Sequence, residues 1–199
     1  MAREALEIIR GEHAALGAVL RSLLEMIDVG PTRDSTQYFD AMRAMLFYVD
    51  EFPVQRHHVN ESKLLFPKVA RSAPQLRPVV ERLLGEHALG EERVRHLQHL
   101  LIAWEMLGEP RRDPFVCATR TYVDFYLEHM RVEEEMILPA AEDLLTPSDW
   151  VELDAAFLEQ QDPLANGKRD RIYDALFDRI VLTAPSPIGL GDGPVGPAS

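Results

Sequence analysis

Two stretches of the chain set a histidine four residues ahead of a glutamate: His57 with Glu61, and His129 with Glu133. In both, a proline stands ten residues after the histidine and closes an apolar run, Leu65-Phe66-Pro67 in one and Ile137-Leu138-Pro139 in the other. Each stretch follows a Glu-His pair. His13 of Glu12-His13 lies 44 residues before His57, and His87 of Glu86-His87 lies 42 residues before His129. Imidazole ligates iron, zinc and copper, and carboxylates ligate harder cations. A carboxylate also bridges two cations and lowers their mutual repulsion. Four histidines and two glutamates in register therefore suit a buried pair of metal ions. Mixed oxygen and nitrogen donors favour redox-active non-haem iron. A closed structural zinc site fits less well, since no cysteine joins the set.

This chemistry needs helices. Residues i and i+4 lie one turn apart on one helix face, so each His-Glu pair points together. Apolar neighbours share those faces: Leu6, Ile9, Leu16 and Leu20 beside His13; Val80, Leu83, Leu84 and Val94 beside His87; Tyr122, Phe125, Tyr126, Val132 and Met136 beside His129. The polar groups thus sit where a core belongs. An unpartnered buried carboxylate or imidazole costs several kcal/mol, so the set requires a common partner.

Apolar residues recur at three- and four-residue spacing almost throughout, with no convincing strand pattern. The spacing predicts a first helix over roughly 2–28, ended by Gly30-Pro31. Asp34 or Ser35 caps the second, which Pro53 kinks or splits just before His57. A third covers about 75–107, closed by Gly108 and Pro110, and a fourth runs from Asp113-Pro114 to about Leu145. Long helices with short links predict an all-α fold, an antiparallel up-down four-helix bundle with additional C-terminal helices. Those extra helices fall at about 148–160, begun by Thr146-Pro147-Ser148-Asp149, and at about 169–183, with Ile172, Leu176, Phe177, Ile180 and Val181 apolar. The expected division is a bundle over 1–145, a helical extension over 146–183 and a disordered tail over 184–199. That tail holds four prolines, four glycines and no aromatic residue.

The net charge is −12 and the pI about 5.0. Such a surface would not neutralise phosphates, which argues against nucleic acid and anionic lipid as partners. The single cysteine, Cys117, forms no internal disulfide and is expected as a small buried apolar residue. No apolar signal core opens the chain and no long apolar run crosses a membrane, so a cytoplasmic protein is expected.

The order His13, His57-x-x-x-Glu61, Glu86-His87 and His129-x-x-x-Glu133, with the Leu-Leu-Phe-Pro and Ile-Leu-Pro endings, resembles the hemerythrin-like family, also called HHE cation-binding domains, over roughly residues 1–145. The resemblance implies a four-helix bundle with a non-haem di-iron centre between its helices. It implies that Glu61 and Glu133 bridge the irons, that His13 and His57 serve one, and that His87 and His129 serve the other. One position departs. Oxygen-carrying relatives have a further histidine one turn after the third-helix histidine, where this chain has Glu91. Glu91 is then a candidate ligand, a partner of bound water, or a bystander, and reversible oxygen carriage is put in doubt. The remaining set looks more like the branch linked to nitrosative stress and iron-sulfur repair, without that branch's cysteine-bearing N-terminal domain.

Several other residues are singled out. His58 is read as a rim or surface group, with a substitute ligand as the alternative. His96 and His99 are read as solvated. Glu12 and Glu86 are read as exposed or as supporting a ligand from behind, and Glu134 is kept as a register-shifted alternative to Glu133. Tyr48, Tyr122 and Tyr126 are read as core, with a supporting hydrogen bond near the centre as the alternative, and Trp104 and Trp150 as core. Ferritin-like Glu-x-x-His and zincin His-Glu-x-x-His strings are absent from the sequence. The leading functional reading is a di-iron protein that binds oxygen, nitric oxide or peroxide for sensing, storage or stress response. The alternatives are a di-iron enzyme, with oxidase, peroxidase, nitric-oxide or iron-sulfur repair chemistry, and a helical interaction module held together by metal.

Overall fold

Glycine and proline set the ends of the helices. The computed structural model describes residues 3–31, 35–159, 162–165 and 173–183. The first helix, α1 (Glu4–Val29), stops at Gly30, whose φ of 75° suits glycine, and whose N–H caps Met26 O at 2.8 Å. The second rod is built from α2 (Ser35–Val49), α3 (His58–Asn60) and α4 (Phe66–Ser72), joined by two widened stretches, Asp50–His57 and Glu61–Leu65. A short turn at Pro74–Leu76 leads into α5 (Arg77–Leu107), which ends at Gly108 with φ 82°. The fourth rod is α6 (Arg112–Val132), a widened stretch at Glu133–Ile137, and α7 (Leu138–Leu144). Then come α8 (Pro147–Glu159) and α9 (Asp174–Thr183). Among the described residues there is no strand.

Successive rods pack as neighbours around a ring: α1 beside α2, α2 beside α5, α5 beside α6, and α6 back against α1. This is the antiparallel up-down bundle that the periodicity predicts. The extra helices lie on its outside, α8 on α1 and α9 on α2. The expected helix at 169–183 is described only from residue 173 onward, and the expected disordered tail, 184–199, lies outside the described residues.

The widened stretches have a covalent cause. In each, a backbone N–H reaches five residues back: His58 to Pro53 O, Phe66 to Glu61 O, and Leu138 to Glu133 O. Pro67 and Pro139 directly follow the last two donors. A proline has no N–H and its ring crowds the carbonyl four residues back, so the turn before it opens from α to π spacing. Pro53 does the same inside the first stretch. The kink expected before His57 is thus a π-helical segment within a continuous rod.

Two apolar cores fill the bundle. One gathers Leu20, Leu23, Tyr48, Trp104, Phe115 and Phe177. The other gathers Leu6, Ile9, Phe66, Leu83, Ile137, Trp150 and Phe157. On three rods the chain passes from one core to the other across a histidine, between Ile9 and Leu16 on α1, Val54 and Leu65 on the second rod, and Leu83 and Val94 on α5; on the fourth it passes between Met130 and Val132, directly after His129. The polar residues form a layer between the cores.

Candidate metal centre

The layer holds His13, His57, Glu61, His87, His129 and Glu133, each at most 8% exposed. Their atoms converge. His13 Nε2 lies 3.2 Å from His57 Nε2, and His87 Nε2 lies 3.0 Å from His129 Nε2. Each carboxylate presents one oxygen to each imidazole pair. Glu61 Oε1 is 3.1 Å from His57 Nε2 while its Oε2 is 3.5 Å from His87 Nε2. Glu133 Oε2 is 3.2 Å from His13 Nε2 while its Oε1 is 3.1 Å from His129 Nε2. A carboxylate shared between two cations needs this arrangement.

The other ring nitrogens face outward to fixed partners. His57 Nδ1–H donates to Glu12 Oε2 at 2.6 Å, His129 Nδ1–H to Glu86 Oε2 at 2.8 Å, and His13 Nδ1–H to Glu134 Oε1 at 3.0 Å. His87 Nδ1 meets Ser62 Oγ at 2.8 Å. The three carboxylate bonds fix the tautomers of His13, His57 and His129 and aim their Nε2 atoms inward, as metal-ligating histidines require, while Ser62 orients the His87 ring. The pairing follows the sequence repeat. The glutamate of each Glu-His pair holds the histidine of the following His-x-x-x-Glu, and Ser62 and Glu134 occupy the same place after the inward glutamate of each copy.

The donor set of the layer fits a cation. All four carboxylate oxygens of Glu61 and Glu133 are buried and accept no well-formed hydrogen bond. Facing imidazole nitrogens at 3.0 and 3.2 Å are satisfied by shared protons or by ions between them. Without metal, protons fill the role. Burial pulls the His57 imidazole down, but Glu61 and Glu12 outweigh it and hold His57 well above its ordinary 6.5. His129 is likewise lowered by burial yet raised by Glu133 and Glu86, to about 9. His13 is raised by Glu133 and Glu134 against its burial. Burial pushes the Glu133 carboxyl up, and His129, His13 and His87 overcome this and keep it well below 4.5.

Six of the seven candidate ligands are thus brought together, and Glu91 is not. Its carboxylate is 45% exposed and bonds the Arg95 guanidinium at 2.5 Å, one turn along the outer face of α5. His58 departs from the expected rim position. It is 5% exposed, and its ring stacks on His87 with centroids 4.0 Å apart and 10° between planes. The widened turns on either side of α3 rotate it inward, which regular helical spacing does not anticipate. Burial, then the neighbouring His87, His57 and His129, hold it well below 6.5, so it is neutral. Glu134 points outward and supports His13. Cys117, expected buried, is exposed on α6. His96 and His99 are exposed, and Trp104 and Trp150 are core residues.

A further contact reaches the layer from beyond the bundle. The Asp162 N–H donates to Glu12 Oε1 at 2.8 Å, and Tyr48 Oη–H donates to Asp162 Oδ2. No spacing in the sequence announces this link, because Asp162 lies 150 residues from Glu12.

Residues 4–141 match the family described as the hemerythrin HHE cation binding domain. The chain belongs to this family. The match spans the bundle and contains every residue of the polar layer, while α8 and α9 lie beyond it. No curated protein was found to match the chain. As an HHE domain the protein has buried His/Glu clusters of the kind that bind a cation. No described helix is long and apolar enough to cross a membrane.

Proposed function

We propose that this HHE domain holds a pair of non-haem iron ions and binds a small ligand there, oxygen, nitric oxide or peroxide, for sensing, storage or stress response. His13 and His57 would hold one ion, His87 and His129 the other, with Glu61 and Glu133 bridging. The observation that carries the reading is the orientation of the four imidazoles. Every Nδ1 is tied to a partner and every Nε2 faces inward, onto carboxylates whose oxygens lack hydrogen bonds. A site built for protons alone would not need both carboxylates divided between the two imidazole pairs.

Bound iron supplies redox-active, ligand-accepting positions. The chain's own residues orient the imidazoles, set the charge and exclude bulk water. Glu12, Glu86, Glu134 and Ser62 hold the rings, and the two apolar cores seal the layer above and below. A site so enclosed admits a diatomic molecule more readily than an organic substrate. The alternative is a di-iron enzyme: with Glu91 at the surface and bonded to Arg95, α5 offers the centre one histidine, and a more open metal shell favours chemistry over reversible binding. The division into a bundle over 1–145 and an extension over 146–183 is also proposed, on the strength of α8 and α9 lying outside the ring of rods.

The test is metal content and spectrum. Protein purified without oxygen is expected to carry about two irons per chain, and to gain a visible band with air, azide or nitric oxide. A band that reverses when oxygen is removed supports binding. Turnover of peroxide or nitric oxide faster than with free iron would replace this reading with the enzymatic one. Zinc, or no metal, would leave the metal-stabilised interaction module.

A further inference from the structure

We infer that His58 is a metal ligand, the third imidazole on the His87 and His129 side of the centre. This rests on the metal-pair reading above. A ring nitrogen of His58 lies within 4.8 Å of one on His87 and one on His129. Its Nδ1 is buried and has no hydrogen-bond partner, whereas His13, His57, His87 and His129 all have theirs tied. Desolvating an imidazole and leaving a nitrogen unpaired is costly, and donation to a cation offsets that cost.

The surrounding packing explains why this ligand comes from the second rod and not from α5. The position one turn beyond His87 is Glu91, which faces solvent and Arg95. The adjoining Gly90 is covered by Tyr126, and a Cβ at Gly90 would overlap the Tyr126 hydroxyl. The Tyr126 ring in turn lies parallel to His58, with centroids 5.7 Å apart and 10° between planes. The Gly90–Tyr126 contact thus fills the α5 side, and His58 stands between Tyr126 and His87.

The two halves of the repeat differ here, because Met130 occupies the place of His58 in the second copy. The third imidazole therefore serves one ion only. The His87 side receives three imidazoles and an oxygen from each glutamate, and the His13 side receives two imidazoles and the same oxygens. The His13 side would then offer its ion fewer protein donors than the His87 side.

The experiment is anaerobic ferrous titration of the full chain and of His58→Phe, His58→Ala and Glu91→Ala, with Mössbauer spectra of each. Wild type is expected to take up a pair of irons in two distinct environments. In His58→Phe one site should weaken by about tenfold or more, with the melting temperature of the metal-free protein held. Imidazole should restore the lost site in His58→Ala, and Glu91→Ala should match wild type. Full affinity and an unchanged spectrum in both His58 variants would overturn the inference, as would loss of a site in Glu91→Ala instead. A wild-type chain that takes up no iron pair would overturn the reading beneath it, a result no His58 variant can produce.

Discussion

At the residue scale, function depends on hydrogen bonds behind the ligands. Glu12 is the clearest case, with one oxygen on His57 Nδ1 and the other on the Asp162 N–H. Glu12→Ala is expected to weaken metal binding about ten- to hundredfold while the bundle still folds, measurable by competition with a coloured chelator. Unchanged affinity would mean that His57 is oriented by packing alone. The same residues set a pH dependence. His13, His57 and His129 are held above 6.5, His129 at about 9, so the metal-free layer carries protons at neutral pH. Metal needs neutral imidazole, so binding must release protons, and affinity should rise with pH until about 9. Titration calorimetry in buffers of different ionisation enthalpy should give different apparent heats. Equal heats would contradict the proton-filled layer. For the metal-free protein the sign is opposite. The stability supplied by His129 is complete below its unfolded value of 6.5 and is lost as pH rises through about 9, so melting should come earlier across that range. The inward residues were legible because i and i+4 share a helix face. His58 was not, because its inward turn depends on widened helix on both sides.

At the element scale, π-helical turns place the ligands. His57 ends one, and Glu61 and Glu133 begin the others. The prolines that cause two of them stand in the sequence as the shared ending of the repeat, yet a proline alone does not say whether a helix breaks, kinks or widens. The start of α8 was more legible. Thr146 and Asp149 cap each other: Thr146 N–H donates to Asp149 Oδ2 at 3.1 Å, and Asp149 N–H donates to Thr146 Oγ1 at 3.2 Å. Asp149 also binds Arg71 at 2.8 Å and Lys68 at 3.4 Å, tying α8 to α4. Asp149→Ala should cost about 2 kcal/mol, read by denaturant unfolding. Although burial raises the Asp149 carboxyl, its bonds to Arg71, Thr146 and Lys68 outweigh that and hold it well below 3.8. Its contribution is therefore present above pH 3.8 and lost as pH falls toward its depressed value. Wild type and Asp149→Ala should converge in stability in acid. A constant gap would remove the carboxylate from the explanation.

At the scale of the whole molecule, a charged layer separates two apolar cores. The bundle was legible because each rod carries its own helical stripe and clear ends at Gly30 and Gly108. The extension was less so. Its helices were visible, but the return of Asp162 to Glu12 joins parts of the chain 150 residues apart, and local pattern carries no information at that distance. The layer makes the fold and the metal interdependent, since an ion pair between the cores replaces protons that only partly offset the burial of two carboxylates. The most direct measurement is the melting temperature of the metal-free chain as ferrous iron is added without oxygen. It should climb by roughly 5–10 °C, the shift expected of a ligand near a hundred times its dissociation constant in a chain of this length, and then level at about two equivalents per chain. A melting temperature that ignores iron, or that rises equally in Glu61→Ala and Glu133→Ala, would show that the layer is not a metal centre.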